Sequence, residues 1–483
     1  MRWASVLRVV GLLLMLFSTT MLPPALVALL YGDAGLGAFL IAFGALLLLG
    51  FLFWWPVRRV YQELRTRDGF LIVVLFWVVL GLSGALPLVF SPSPQVSWTD
   101  AAFESVSGLT TTGATVLTGI DHLPESIRYY RQQLQWLGGM GIIVLAVAIL
   151  PMLGVGGMQL YRAETPGPVK DTKLTPRIAE TAKTLWYIYL ILTVSCALAY
   201  WGAGMGGLDA IGHSFSTVAI GGFSTHDASM AHFDSPLISM ICALFMLVAG
   251  INFAMHFLAW RSRSLAHYFK EPEVRWFLAL MAGGGTVVTV TLWITGHHGH
   301  WGESLHQGIF HTVSIGTTAG FTADTYQDWP LYLPVLLTLM AFIGGCAMST
   351  GGGIKVIRFM LLIKQGYREV VRLVHPRAVV SIKVGGRPVP DPVIGAVWGF
   401  FAVYVALFTL MMLLLMVLGL DQVTAFSAVA ATITNLGPGQ GAVAAHYADI
   451  GAVAKWVLMC AMLLGRLEVF TLLVLFTPAF WRR

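Results

Sequence analysis

Long apolar stretches without charged residues constrain this chain more than any other feature of its sequence. Nine stretches contain no Lys, Arg, Asp or Glu, and a tenth contains only three charges. Each exceeds the ~20 apolar residues that a helix needs to cross a bilayer. The sequence therefore predicts an all-α polytopic membrane protein with ten candidate transmembrane stretches: 9–32, 34–57, 69–99, 132–161, 184–208, 235–260, 276–302, 329–354, 392–420 and 450–481.

The composition supports this prediction and excludes several functional classes. Charged residues make up 11 % of the chain, whereas soluble domains carry about 25 %. So few charges cannot cover a surface in water, which excludes a cytosolic enzyme, a disordered protein and a nucleic-acid binder. The four cysteines lie in apolar stretches without metal-type spacing, so we expect them to be buried small hydrophobic residues.

The distribution of Lys and Arg predicts the orientation in the membrane. If both termini are cytoplasmic, 25 of the 29 basic residues fall on the inner side, as the positive-inside rule requires. The outer segments hold 13 of the 23 acidic residues and three basic ones, which leaves that face negative by about ten charges. Such a face would concentrate cations, although the acids can also simply reflect the absence of Lys and Arg there.

A pattern anchored on one glycine recurs four times in the outer segments. The glycines are separated by 109, 98 and 117 residues, and a small residue precedes each of them by six positions. Each unit reads as a polar start, a short amphipathic helix and a glycine-containing loop between two long apolar stretches. The anchoring glycines are Gly113, Gly222, Gly320 and Gly437, and the residues six positions earlier are Ser107, Ser216, Ser314 and Ala431.

The short helices of this repeat have about ten residues, too few to cross a bilayer, so they are expected to enter and return on the same side. Non-helical backbone at membrane depth is tolerated where it lines a polar cavity. Loops of neutral oxygens without acidic residues suit a weakly hydrated monovalent cation, unless the four glycine turns are coincidental. The predicted filter segments are Thr110-Thr111-Thr112-Gly113, Ala219-Ile220-Gly221-Gly222, Thr317-Thr318-Ala319-Gly320 and Thr434-Asn435-Leu436-Gly437.

Several motifs resemble the TrkH/KtrB family of bacterial potassium uptake proteins, in its TrkH-like branch. The resemblance covers nearly the whole chain. It rests on Ser107–Thr115, Asn435–Gly439, Gln135–Gly141 and Gly344–Lys355. In that family, four pseudo-symmetric helix–pore loop–helix repeats surround one pore, preceded here by two extra transmembrane helices. The implied divisions are 1–66 for the extra helices and 67–160, 183–260, 274–364 and 392–483 for repeats 1 to 4.

The resemblance also implies the transported ion, its site and its partners. Potassium is the expected substrate, taken up across the bacterial inner membrane, and no covalently bound cofactor is expected. A homodimer is implied, together with a TrkA-like cytosolic ring that binds the regulatory nucleotide, so that nucleotide acts only through this partner. Potassium is expected at Thr111, Thr112, Ile220, Gly221, Thr318, Ala319, Asn435 and Leu436.

Two features are candidate gates. A predicted helix over 329–362 contains five glycines with Ser349 and Thr350. Since each glycine costs ~1 kcal/mol in a helix interior, we expect the helix to break there and line the pore, or to pack closely through small residues. The resemblance implies an intramembrane loop that obstructs the pore. Its candidate gate residues are Gly344, Gly345, Ser349, Thr350, Gly351, Gly352 and Gly353.

The second candidate gate is Arg466, which the stretch 450–481 places in the middle of the last helix. An unpaired charge there is unfavourable unless it lines the pore, snorkels or meets an acid of another segment. Glu468 is two residues on and so is a poor partner on a helix. In the resembled family, an arginine at the matching place lies under the filter as a barrier.

The sequence leaves one alternative function open and excludes another. A proton- or sodium-coupled secondary potassium transporter is the alternative function, although inverted repeats and acids at the membrane midplane are missing from the pattern. A membrane enzyme is excluded because no nucleophile–base pair or phosphate-binding loop is present. The motif His297-His298-Gly299-His300 can bind metal, sense pH or form a solvated turn, and the turn is the simplest reading.

Overall fold

The computed structural model describes residues 1–60, 65–144, 178–330 and 332–482. Within these residues the chain is almost entirely helical, with one two-stranded hairpin. Residues 145–160 of the first predicted repeat and most of the predicted inner segment before residue 183 lie outside the described residues.

The first three helices form the N-terminal segment, and α1 and α3 pack closely. A side chain at Gly11 would lie 2.7 Å from the Gly50 carbonyl oxygen, and one at Gly50 would lie 2.7 Å from that of Gly11. Small residues at such a crossing let two helix backbones approach within the membrane. The three helices are α1 (Trp3–Thr19), α2 (Leu22–Tyr31) and α3 (Leu36–Trp54).

The remaining helices include long apolar elements and short buried ones. In chain order they are α4 (Thr66–Ser83), α5 (Leu86–Phe90), α6 (Trp98–Leu109), α7 (Glu125–Val144), α8 (Ile178–Gly202), α9 (Gly207–Ala219), α10 (Pro236–Ala249), α11 (Phe253–Ser262), α12 (Ala266–Lys270), α13 (Pro272–Ile294) and α14 (Trp301–Gly316). The C-terminal part contains α15 (Tyr332–Ile343), α16 (Val356–Val374), α17 (Asp391–Val417), α18 (Gln422–Ile433), α19 (Ala452–Arg466), α20 (Phe470–Leu473) and α21 (Pro478–Trp481).

Six helical segments among the described residues are long and apolar enough to cross a membrane. Two further helix pairs qualify together but bend sharply, by 91° between α10 and α11 and by 109° between α19 and the helical segment Phe470–Phe476. Large apolar side chains on the long helices are exposed, including Leu16, Leu30 and Val417. An apolar surface of this extent fits lipid rather than water. The six segments are Trp3–Tyr31, Leu36–Val57, Arg67–Phe90, Lys183–Gly202, Pro272–Ile294 and Asp391–Val417.

The predicted helix over 329–362 is broken, as its glycine content indicates. Helix α15 ends at Ile343 and α16 begins at Val356, and the backbone between them is not helical. Gly344 and Gly353 have φ angles of 73° and 75°, which an L side chain rarely adopts. The apolar stretch 329–354 therefore supplies a helix of only 12 residues followed by an irregular segment, not a full span.

The last apolar stretch also differs from the prediction. Arg466 is the final residue of α19 rather than the middle of a continuous helix. Glu468 and Val469 both have positive φ, and the chain turns before α20 begins. Hydropathy alone could not reveal this turn, because the residues on both sides of it are apolar.

The basic stretch 365–391 contains the hairpin. Strands β1 (Lys383–Val384) and β2 (Arg387–Pro388) pair in antiparallel register, Lys383 opposite Pro388 and Val384 opposite Arg387. Gly385 and Gly386 connect them with φ angles of 58° and 80°, the signature of a tight hairpin turn.

Candidate ion-coordination site

The four short helices α6, α9, α14 and α18 end in the same hydrogen-bonded turn. In each, the amide of the residue before the anchoring glycine donates to the carbonyl of the residue six positions before that glycine. This is the 6→1 bond of a Schellman motif. The four N···O distances are 2.8 Å for Thr112–Ser107, 2.8 Å for Gly221–Ser216, 2.7 Å for Ala319–Ser314 and 2.8 Å for Leu436–Ala431.

The motif explains the six-residue spacing in the sequence. It also requires one residue of each loop to adopt a left-handed backbone conformation. The residue two positions before the anchoring glycine has a left-handed backbone, with φ of 51° at Thr111, 53° at Ile220, 72° at Thr318 and 56° at Asn435. Three of these residues are β-branched, for which positive φ is a genuine outlier. Strain of this kind costs about 1–3 kcal/mol per residue and clusters at functional sites.

The anchoring glycines also have positive φ, between 80° and 99°. A methyl group added to any of them would lie less than 3.0 Å from a backbone carbonyl oxygen of a neighbouring loop. The contacts close into a ring, because each loop contacts the next and the fourth contacts the first. The pairs are Gly113 with the Gly221 oxygen, Gly222 with Ala319, Gly320 with Leu436, and Gly437 with Thr112.

Fifteen of the sixteen residues of the predicted filter segments therefore lie in four loops that converge at one place, and the sixteenth, Ala219, is the last residue of α9. Side chains from outside the loops hold the backbone there. Gln135 on α7 donates to the Gly221 oxygen at 2.6 Å and accepts from the Phe223 amide at 3.0 Å. Tyr447 donates to the Gly437 oxygen at 2.8 Å. Asn435 donates to the Thr112 hydroxyl at 2.9 Å, which links the fourth loop to the first.

The electrostatics of the converging loops favour a cation. The C-termini of the four short helices meet at this site, and a helix C-terminus carries partial negative charge. The loops contribute carbonyl and hydroxyl oxygens but no carboxylate. Neutral oxygens in this arrangement can replace part of the water shell of a monovalent ion.

The segment between α15 and α16, residues 344–355, packs against three of these loop regions. The Gly352 amide donates to the Thr318 hydroxyl at 2.6 Å, and the Gly353 amide donates to the Thr434 oxygen at 3.0 Å. The Thr350 hydroxyl donates to the Val218 oxygen at 3.0 Å. Four of the predicted gate residues, Thr350, Gly351, Gly352 and Gly353, thus lie directly beside the ends of α9, α14 and α18.

Arg466 reaches the remaining loop. Its Nη2 donates to the Thr111 hydroxyl at 2.6 Å and its Nη1 to the Thr350 oxygen at 3.2 Å. Among the described residues it forms no ion pair. Glu468 instead pairs with Arg358 on α16, at 2.6 Å. This partner lies 110 positions away in the sequence, so the local spacing could rule out an Arg466–Glu468 pair but could not identify Arg358.

Sequence reasoning missed a buried ion pair behind the first loop. It counts Glu104 and Arg131 as charges of the outer face, but both side chains are essentially inaccessible and their atoms are 2.7 Å apart. Glu104 also accepts from the Val116 amide at 2.9 Å, and Arg131 donates to the Ser224 oxygen at 2.9 Å. The pair therefore fastens the segments that follow the first two loops. The position of Glu104 within a short apolar helix was the available signal.

A second cluster outside the loops surrounds His226. Its Nδ1 lies 2.5 Å from Asp121, and its Nε2 lies 3.4 Å from Asp209. Burial disfavours the charged imidazole, but these two carboxylates outweigh it and raise the pKa of His226. The cluster joins the segments after the first and second loops.

The fold and the converging loops define a multi-span α-helical membrane protein with a neutral, oxygen-rich site suited to a cation. The chain belongs to the TrkH family of cation transport proteins, whose match covers residues 36–483. A protein of this family is a transporter and not an enzyme.

Individual relatives are similar to this chain along its full length. A Halomonas elongata protein named Trk system potassium uptake protein TrkH is 60 % identical over 478 residues, covering 99 % of both chains. An Escherichia coli K12 protein of the same name is 58 % identical over 482 residues, covering all of both chains. The crystal structure of the potassium transporter TrkH from Vibrio parahaemolyticus superimposes with a TM-score of 0.93 at 56 % identity, covering all of both chains.

Proposed function

We propose that this chain takes up potassium across the bacterial inner membrane through one pore, surrounded by four pseudo-symmetric helix–pore loop–helix repeats. The observation that carries the proposal is the closed ring of four glycine-anchored loops. Potassium is coordinated by loop oxygens at the eight residues named above, and the names of the full-length relatives support this choice of ion.

The proposed direction of transport follows from the distribution of charged residues along the chain. Both termini and the basic segments face the cytoplasm, as the Lys and Arg distribution favours. The acidic outer face then surrounds the pore entrance and raises the local cation concentration. The C-termini of α6, α9, α14 and α18 add partial negative charge deeper in the path.

The proposed gate combines the segment 344–355 with Arg466. The segment contacts the ends of three short helices, and Arg466 contacts Thr111 of the first loop. A guanidinium at this place repels an arriving cation, so conduction requires Arg466 to move or to be neutralised. Its hydrogen bond to the Thr350 oxygen couples the two parts of the gate.

The proposed assembly is a homodimer regulated by a TrkA-like cytosolic ring that binds the nucleotide. Relatives named as components of a Trk system support this assembly. The basic stretch with the β1–β2 hairpin is the proposed docking surface for the ring, because it is largely exposed and belongs to the segments assigned to the cytoplasm.

Reversal potentials in proteoliposomes test the proposal. With opposing gradients of potassium, sodium and protons, the purified chain should reverse at the potassium equilibrium potential. A shift of the reversal potential with the proton or sodium gradient would instead favour a coupled secondary transporter. Fluxes of potassium, rubidium, sodium and lithium, measured in the same vesicles, should be larger for the first two ions than for the last two. Equal fluxes of all four would contradict a selective filter.

A further inference from the structure

We propose that His297, His298 and Asp324 form an outer binding site for a first-row divalent transition metal such as Zn²⁺. His297 and His298 lie in the segment between α13 and α14, and Asp324 lies four residues after Gly320. One ligand atom from each of the three residues lies within 4.8 Å of the other two. The site is separate from the four-loop ring, and its existence does not depend on the proposed transport function.

The distance between His298 and Asp324 suits a shared metal ion as well as an ion pair. Nε2 of His298 is 3.6 Å from Asp324 Oδ2, and its Nδ1 is 3.7 Å from Glu303 Oε1. Both separations are longer than a hydrogen bond. The His298–Asp324 separation approaches the spacing of about 3.4 Å between two ligands that each bind Zn²⁺ tetrahedrally at 2.0–2.1 Å.

The burial of His298 is the independent observation that points to a ligand. Its side chain is only 9 % exposed, and Nε2 has no hydrogen-bond partner among the described residues. A buried polar atom without a partner is costly, and such atoms in native structures call for an explanation such as an ion. His298 borders a cavity of about 670 Å³, and two further buried atoms without partners, His306 Nε2 and Gln307 Oε1, belong to residues that line it.

Asp324 is held as a metal ligand should be. The Trp329 indole donates to its Oδ2 at 3.0 Å, and the Thr325 amide donates to its Oδ1 at 2.7 Å. Such outer contacts orient ligands in metal sites. His297 is exposed, so its ring has room to reorient and bring a nitrogen within ligand distance of a metal ion held by His298 and Asp324.

The donor set indicates the class of metal. Two imidazoles and one carboxylate suit Zn²⁺, Ni²⁺ or Cu²⁺, whereas Ca²⁺ and Mg²⁺ require more oxygen ligands. The other His–Asp cluster is less suitable. There the His226 and His232 rings stack in parallel with 3.4 Å between centroids, so their in-plane lone pairs do not converge on one point.

Competition between the full-length chain in detergent and a chromophoric Zn²⁺ chelator at pH 7.5 tests the site. Wild-type protein should bind one Zn²⁺ that is lost or weakened at least about 10-fold in His297→Ala and in His298→Ala. His297 is exposed, so its variant should fold even if the His298 variant does not. His300→Ala, in the same exposed segment, and His232→Ala, in the other cluster, are matched controls that should bind like wild type.

Three results would overturn the site. One is a Zn²⁺ affinity that is unchanged in His297→Ala, and another is a loss in His300→Ala as large as that in His297→Ala. Absence of competition by the wild-type chain would have the same meaning. Ca²⁺ in 100-fold excess should leave the Zn²⁺ isotherm unchanged, and displacement by Ca²⁺ would contradict the assigned donor chemistry.

Discussion

Arg466 and Thr111 are joined by a hydrogen bond of 2.6 Å between the guanidinium Nη2 and the threonine hydroxyl. Arg466 is the last residue of α19, and Thr111 is the left-handed residue of the first loop. The bond therefore connects the sharp turn of the last apolar stretch to the ring of loops. It also places the guanidinium of the proposed gate directly beside a residue expected to bind potassium.

Replacing Arg466 with Ala should raise the rate of potassium uptake or lower the preference for potassium over sodium. The positive charge is removed from the proposed path, and Thr111 loses its donor. Uptake of both ions into proteoliposomes measures the effect. Arg261→Ala, an exposed arginine at the end of α11, is the control and should behave like wild type. Identical fluxes of every ion in the Arg466 variant would exclude a gating role.

Gly222→Ala should reduce potassium uptake strongly and lower ion preference. Its φ is 80°, and the added methyl would collide with the Ala319 carbonyl oxygen of the third loop. Gly207→Ala is the matched control, because a methyl at this helix position meets nothing within 4 Å. Uptake assays at equal protein content compare the two variants. Equal transport by the two variants would mean that the contact between Gly222 and the third loop is not needed for transport.

Gly352→Ala should increase uptake in the absence of any regulatory partner. The added methyl would collide with the Thr434 carbonyl oxygen, so the segment 344–355 could no longer pack under the fourth loop. Gly366→Ala on α16 has open space around it and serves as the control. Vesicle uptake with the purified chain alone provides the measurement. A Gly352 variant that folds and transports at the wild-type rate would argue against an obstructing segment.

Arg131→Met should destabilise the protein by about 3–5 kcal/mol, because it leaves the Glu104 carboxylate buried without its partner. Thermal unfolding in detergent measures the loss. The comparison is Arg372→Met, which removes an i,i+3 surface pair with Glu369 that is worth about 0–1 kcal/mol. Equal melting temperatures for the two variants would mean that the buried pair contributes nothing special.

The His226 cluster predicts a pH-dependent contribution to stability. The pKa of His226 is raised, so its ion pairs contribute fully below about pH 6.5 and are lost as the pH rises through that raised pKa. Burial raises the pKa of Asp121, but the His226 hydrogen bond reverses this and lowers it, so the contribution of Asp121 is present above about pH 3.9 and is lost on acidification.

Melting curves of wild type and His226→Gln at pH 5.5 and pH 9 test this window. The difference in melting temperature between the two proteins should be larger at pH 5.5 than at pH 9. Using the difference cancels the titration of groups that the two proteins share. A gap that stays constant or grows toward pH 9 would contradict a charged His226.

The parts of the site that the sequence could reveal are those set by local chemistry. The six-residue spacing before Gly113 and its three counterparts reflects the same hydrogen bond in each loop, so it can be recognised in the sequence. The break after Ile343 follows from glycine content alone. The partner of Glu468 and the burial of Glu104 depend on residues far away in the sequence. No local pattern records such contacts.

The ring contacts have a mechanical consequence. Each anchoring glycine contacts the backbone of the adjacent loop, so the four loops support one another. No loop can shift inward without pushing its neighbour, and none can retreat without leaving a gap beside it. The width of the opening between the loops therefore depends on all four of them. A side chain added at any one anchoring glycine displaces the adjacent loop and, through it, the others.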